Sequence, residues 1–126
     1  MNNSNHNRTR IFFWYWLPLF VYAGFIFFLS SLPIRADLDV PDLDKVMHLG
    51  EYLVFGVLLS RAIEKSFPQD TLAKYYLWII LLSFLYGISD EVHQLFVKSR
   101  EFSFWDAFAD TIGAAIGAKI YGFKIG

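Results

Sequence analysis

The chain contains no cysteine, which excludes disulfides, thiol catalysis and thiolate metal sites. It also lacks a dominant charge: eleven Lys and Arg against twelve Asp and Glu leave a net charge of −1. No basic stripe with interleaved aromatics is present, so nucleic acid is not an expected partner. Equally missing are a nucleophile elbow, a paired-histidine zinc motif and a glycine-rich phosphate loop. No internal repeat of the transporter kind is visible either. What is abundant is apolar side chain. Hydrophobic residues make up 56% of the 126 positions and aromatics 20%, more than a soluble domain of this size could bury in one core. The excess must face lipid.

The apolar residues fall in blocks, each approaching the roughly 20 residues that a helix needs to cross about 30 Å of hydrocarbon. Four spans are expected, at about 11–32, 45–63, 72–96 and 104–121. The first begins after Arg8 and Arg10 and carries Trp14, Tyr15 and Trp16 near its start, as an aromatic belt would. It is longer than the apolar run of a signal peptide and no A-x-A-like site follows, so it reads as a retained helix. Pro18 can kink it without breaking it. The expected fold class is therefore all-α: one integral membrane bundle of four transmembrane helices spanning residues 1–126.

Basic residues set the expected orientation. Arg8, Arg10, Arg61, Lys65, Lys74, Lys119 and Lys124 fall on one side, against Arg35, Lys45, Lys98 and Arg100 on the other. This bias places both termini on the cytoplasmic side. Acidic residues are far more lopsided: all but Glu64 and Asp70 lie toward the outside. That asymmetry reads as functional or interfacial, because acidic residues contribute little to topology.

Alternating helix direction brings three polar helix ends to this outer leaflet. Asp44, His48 and Tyr52 recur every four residues along the second helix, beside Lys45 and Glu51. The third helix ends there with Asp90, Glu91 and Gln94, and the fourth begins with Asp106 and Asp110, continued by Gly113 and Gly117. Arg100 lies in the connecting loop. An outward-facing polar pocket is expected, lined by Asp44, Lys45, His48, Tyr52, Asp90, Glu91, Gln94, Arg100, Asp106 and Asp110. Adjacent residues project about 100° apart, so only one of Asp90 and Glu91 is expected to point squarely inward. His93 is expected to point away from the Gln94 face. Asp106 also suits the positive end of its helix, and the Gly113/Gly117 spacing would let a second helix approach closely.

Ionisable groups at membrane depth cost on the order of 2.5 to 3.5 kcal/mol near the bilayer centre, so they face the bundle interior and find partners. Three uses remain open for these ones. A structural ion-pair network, or a packing surface for a partner protein, would hold the helices in register. A ligand site would use Arg100, whose planar fork suits phosphate or carboxylate. An enzyme would use His48 with Glu91 or Asp106 as base and acid, with or without a divalent metal.

Taken together, Asp44-Lys45-Val46-Met47-His48 with Tyr52 and Gly56, then Asp90-Glu91-x-x-Gln94, then Arg100, Asp106 and the Gly113/Gly117 helix resemble the VanZ-like family of small bacterial membrane proteins. The similarity covers about residues 44–117, and the three motifs in this order are more specific than any one of them. Two positions depart from the family pattern: Asp110 stands where asparagine is expected, and Lys98-Ser99 replaces Pro-Gly. The founding member of the family is associated with resistance to the glycopeptide teicoplanin. The resemblance implies a multi-pass protein of the bacterial cytoplasmic membrane that acts in the cell envelope, with membrane lipids or a lipid-linked cell-wall precursor as ligand. The resemblance leaves any cofactor or metal open.

Overall fold

The computed structural model describes residues 3–31, 43–96 and 104–125, and all regular structure among them is helical. α1 (Asn3–Ile11), a π-helical turn (Phe12–Trp16) and α2 (Leu17–Ser30) run on as one rod. α3 (Leu43–Ser66), α4 (Leu72–Gln94) and α5 (Phe104–Tyr121) complete the bundle. Three of these four rods are long and apolar enough to cross a membrane: Asn5–Ser30, Val46–Ser66 and Leu72–Gln94. α5 is 18 residues long and carries Asp106, Asp110 and Lys119, which lower its apolar content.

Local chemistry explains the helix limits. Thr71 caps α4 from an extended backbone, its hydroxyl accepting the Lys74 N–H at 3.3 Å. α5 stops at Gly122, whose φ of 73° is the left-handed conformation that closes helices. Pro18 sits in the first turn of α2, directly after the π-turn in which the Leu17 N–H reaches the Phe12 carbonyl. A proline there lacks a helical donor and crowds the carbonyl four residues back, and the wider π-turn upstream accommodates it.

Two helix limits differ from those expected by three residues or more, the others by two at most. The first rod starts at residue 3 rather than 11, because the polar run 3–10 simply continues the helix beyond the apolar block. α3 runs to Ser66 rather than 63 because its last turn has tertiary partners. Glu64 accepts from the Tyr121 hydroxyl and the Lys124 N–H, each at 2.7 Å, and Ser66 Oγ accepts from Trp16 Nε1 at 2.6 Å. Phe123 stacks on buried Tyr75 with ring centroids 4.1 Å apart, fastening the chain end to α4.

Rods and rings fill the interior: Tyr52, Phe55, Leu59, Ile63, Tyr75, Ile79, Ala114 and Ala118 form the core with Leu19 and Ile26. Phe20, Phe25, Leu77, Leu85, Ile112 and Ile116 are exposed, as lipid-facing side chains are. α3 and α5 pack closest. A Cβ on Gly113 would stand 2.5 Å from the Leu49 carbonyl oxygen, and Cβ atoms on Gly117 and Gly56 would collide with the carbonyls of Leu53 and Ala114. The expected small-residue seam is therefore real, and α3 is the helix it admits.

Candidate functional site

Antiparallel packing sets the start of α3, the end of α4 and the start of α5 beside the end of α2. His48 lies five residues inside α3 and Asp110 six residues inside α5, which at 1.5 Å per residue is roughly 7 to 9 Å from the helix starts. At that depth His48, Tyr52, Asp90, Glu91 and Asp110 have no solvent exposure, and Gln94 is 1% exposed. A ring nitrogen of His48 and one carboxylate oxygen from each of Asp90, Glu91 and Asp110 all lie within 4.8 Å of one another.

The closest pair is His48 Nδ1 and Asp110 Oδ1 at 2.8 Å. An ionised carboxylate only accepts hydrogen bonds, so against one Nδ1 carries the proton, and a neutral imidazole then presents its lone pair at Nε2. This contact gives Asp110 the partner that the sequence does not name. Tyr52 stacks parallel to the His48 ring, one turn along α3, with centroids 6.4 Å apart. Asp90 Oδ2 accepts from Ser30 Oγ at 3.0 Å, which ties α2 to the cluster. Two polar atoms in the cluster, Tyr52 Oη and Asp110 Oδ2, are buried with no hydrogen-bond partner among the described residues.

Asp90 and Glu91 both point inward, against the expectation that only one would. The buried face of α4 is wider than 100° at this level, because α2 approaches on one side and α5 on the other. Asp90 accepts from Ser30 of α2 and, like Glu91, keeps a carboxylate oxygen within 4.8 Å of the His48 and Asp110 ligand atoms. His93 does leave the Gln94 face. It packs against α2 instead, its Nε2 2.7 Å from Ser31 Oγ and its ring stacked on Phe27.

Asp106, 7% exposed, sits one turn above Asp110 in the first turn of α5 and is not one of the four clustered residues. The expected contributions of Arg100 and of the Asp44 and Lys45 side chains fall outside the described residues.

Two site residues escaped the sequence reading. Ser30 ends an otherwise apolar run, and polar residues in a span face the bundle. Gly87 looks like any membrane-helix glycine, yet a Cβ there would come to 3.0 Å from Asp110 Oδ2, so its missing side chain makes room for the carboxylate.

Two carboxylates ionised at about 4.8 Å repel by roughly 3 kcal/mol at an effective dielectric near 20. Three of them around one imidazole therefore either share protons or meet positive charge, from a protonated histidine, a basic side chain or a cation. The arrangement can hold hydroxyl or amine donors on its carboxylates, ligate a metal, or move a proton through His48. An apolar cavity of about 450 Å³, lined by Trp16, Ile63, Phe67, Gln69, Trp78 and Leu82, lies at the opposite end of the bundle.

A family model described as VanZ/LLP1 matches residues 2–125. No curated protein and no solved structure matches the chain.

Proposed function

The chain belongs to the VanZ/LLP1 family, and we propose that it is a multi-pass protein of the bacterial cytoplasmic membrane that binds the phosphate-bearing head group of an envelope lipid. The observation that supports this is the buried meeting of His48, Asp90, Glu91 and Asp110 at one helix-end level. Polar residues of this density at membrane depth mark functional sites. In this reading both termini are cytoplasmic and the polar end faces outward. Arg100 and Lys45 meet phosphate, while His48, Glu91 and Gln94 fix the rest of the head group, with Tyr52, Asp44, Asp90, Asp106 and Asp110 around them. A lipid-linked cell-wall precursor has this chemistry, and binding one would connect the protein to glycopeptide susceptibility.

Native mass spectrometry of the purified chain beside Arg100→Ala and His48→Ala tests the reading. A lipid that stays with the parent and leaves both folded variants supports it. Equal lipid on all three, or none on any, counts against it.

The His48–Asp110 contact favours one second reading, acid–base catalysis on the head group. A histidine oriented through Nδ1 by a carboxylate presents Nε2 as a base, with Glu91 or Asp106 as the acid. Loss of head group from a bound lipid on incubation, abolished by His48→Gln, would distinguish an enzyme from a binder.

A further inference from the structure

The head-group reading sets three carboxylates around its ligand and leaves open what offsets their charge. Three carboxylates alone repel a phosphate, whereas an imidazole with carboxylate oxygens is the mixed nitrogen–oxygen set that suits first-row divalent ions such as Mn²⁺ and Zn²⁺. Ca²⁺ would ask for six to eight oxygens and Mg²⁺ for several retained waters. The spacing agrees. Ligand atoms about 2.0 to 2.2 Å from a tetrahedral ion stand roughly 3.3 to 3.6 Å apart, so side chains whose ligand atoms lie within 4.8 Å of one another need to close by little more than an ångström.

Two further observations point at an occupant. Asp110 holds His48 through Oδ1, and its Oδ2 is buried without a hydrogen-bond partner among the described residues, in space that Gly87 leaves open. Tyr52 is fully buried, stacks on the His48 ring and lies in the field of Asp110 and Asp90, and its hydroxyl also has no hydrogen-bond partner among the described residues. A hydroxyl so placed is a donor for an oxygen bound to an ion.

We propose that His48, Asp90, Glu91 and Asp110 hold one first-row divalent cation of the Mn²⁺ or Zn²⁺ class, through which the carboxylate-rich end of the bundle receives phosphate. The inference deepens the head-group reading and rests on it for the phosphate, though not for the ion. The ion supplies positive charge where the three carboxylates converge and locks α3, α4 and α5 to one centre.

The test uses the full chain in detergent, stripped with a chelator, dialysed and titrated with Mn²⁺ under electron paramagnetic resonance. The expected result is one bound Mn²⁺ per chain with nitrogen hyperfine coupling, displaced by Zn²⁺. The isosteric Glu91→Gln and Asp110→Asn variants should each weaken binding by about tenfold or more, and His48→Gln should remove the nitrogen coupling. Wild-type protein with intact helical circular dichroism that binds neither ion overturns the proposal without requiring any variant to fold. Binding unchanged in folded Glu91→Gln and His48→Gln overturns it as well. Native mass spectra of the same samples separate the two ideas: lipid without metal removes the cation alone, and metal without lipid removes the head-group reading alone.

Discussion

His48 Nδ1 and Asp110 Oδ1 lie 2.8 Å apart, joining α3 to α5 between two side chains that have no contact with solvent. A hydrogen bond in such surroundings matters mainly through what its removal leaves behind. Asp110→Ala strands the imidazole donor and should cost about 1 to 3 kcal/mol. Asp110→Asn should cost less, because its amide oxygen still accepts from Nδ1. Denaturant titration of helicity in mixed micelles checks the order, and His48→Ala combined with Asp110→Ala should fall well short of additivity.

Glycines on the α3–α5 seam and on the lipid face should respond in opposite directions. A Cβ on Gly117 meets the Leu53 carbonyl, while one on Gly24 meets nothing within 4 Å. Gly117→Ala must push the helices apart and should destabilise by about 1 to 3 kcal/mol. Gly24→Ala gains helix propensity and should be neutral or stabilising by up to about 1 kcal/mol. Thermal unfolding of both variants in one detergent decides the matter.

Glu64 receives both the Tyr121 hydroxyl and the Lys124 N–H. Glu64→Ala should free the chain end and lift Phe123 off Tyr75. Carboxypeptidase should then trim residues 122–125 faster in the variant than in the parent, with helicity unchanged. Equal trimming would show that Tyr75 holds the tail, through its ring on Phe123 and its hydroxyl on the Lys124 carbonyl.

Absence of native cysteine makes Asp70→Cys a clean topology probe. Asp70 pairs with Lys74 at 2.8 Å, and that hydrogen bond, with the lysine's charge, holds its carboxyl below the usual range. A lowered folded pKa contributes stability above the unfolded pKa and loses it as pH falls through the folded value. Both partners are largely exposed, so screening leaves the pair little influence. The substitution should therefore fold normally at neutral pH. Thiol reagents should label it from the cytoplasmic side only, and labelling from outside would invert the assigned orientation.

Periodicity and hydropathy made the bundle legible. α5 spans the expected 104–121, and the four clustered residues were all readable as site candidates, because ionisable groups in apolar runs have few places to go. What remained hidden depends on neighbours. Nothing local to Asp110 indicates His48, and nothing local to Asp90 indicates Ser30. The inward turn of both Asp90 and Glu91 follows from having a helix on each side of α4, which no single-helix projection contains. The extension of α3 to Ser66 has the same origin, since Glu64 and Ser66 are held by Tyr121, Lys124 and Trp16.

The glycine seam also bears on how the protein is made. α5 carries three charged residues, and two of them, Asp106 and Asp110, become buried only once α3 and α4 cover them. During biogenesis this helix is therefore expected to enter the bilayer only against a helix already there, with the backbone-to-backbone fit along Gly113 and Gly117 as its berth. A reporter fused behind α5 alone is expected to remain in water, and one fused behind α3 to α5 together is expected to integrate.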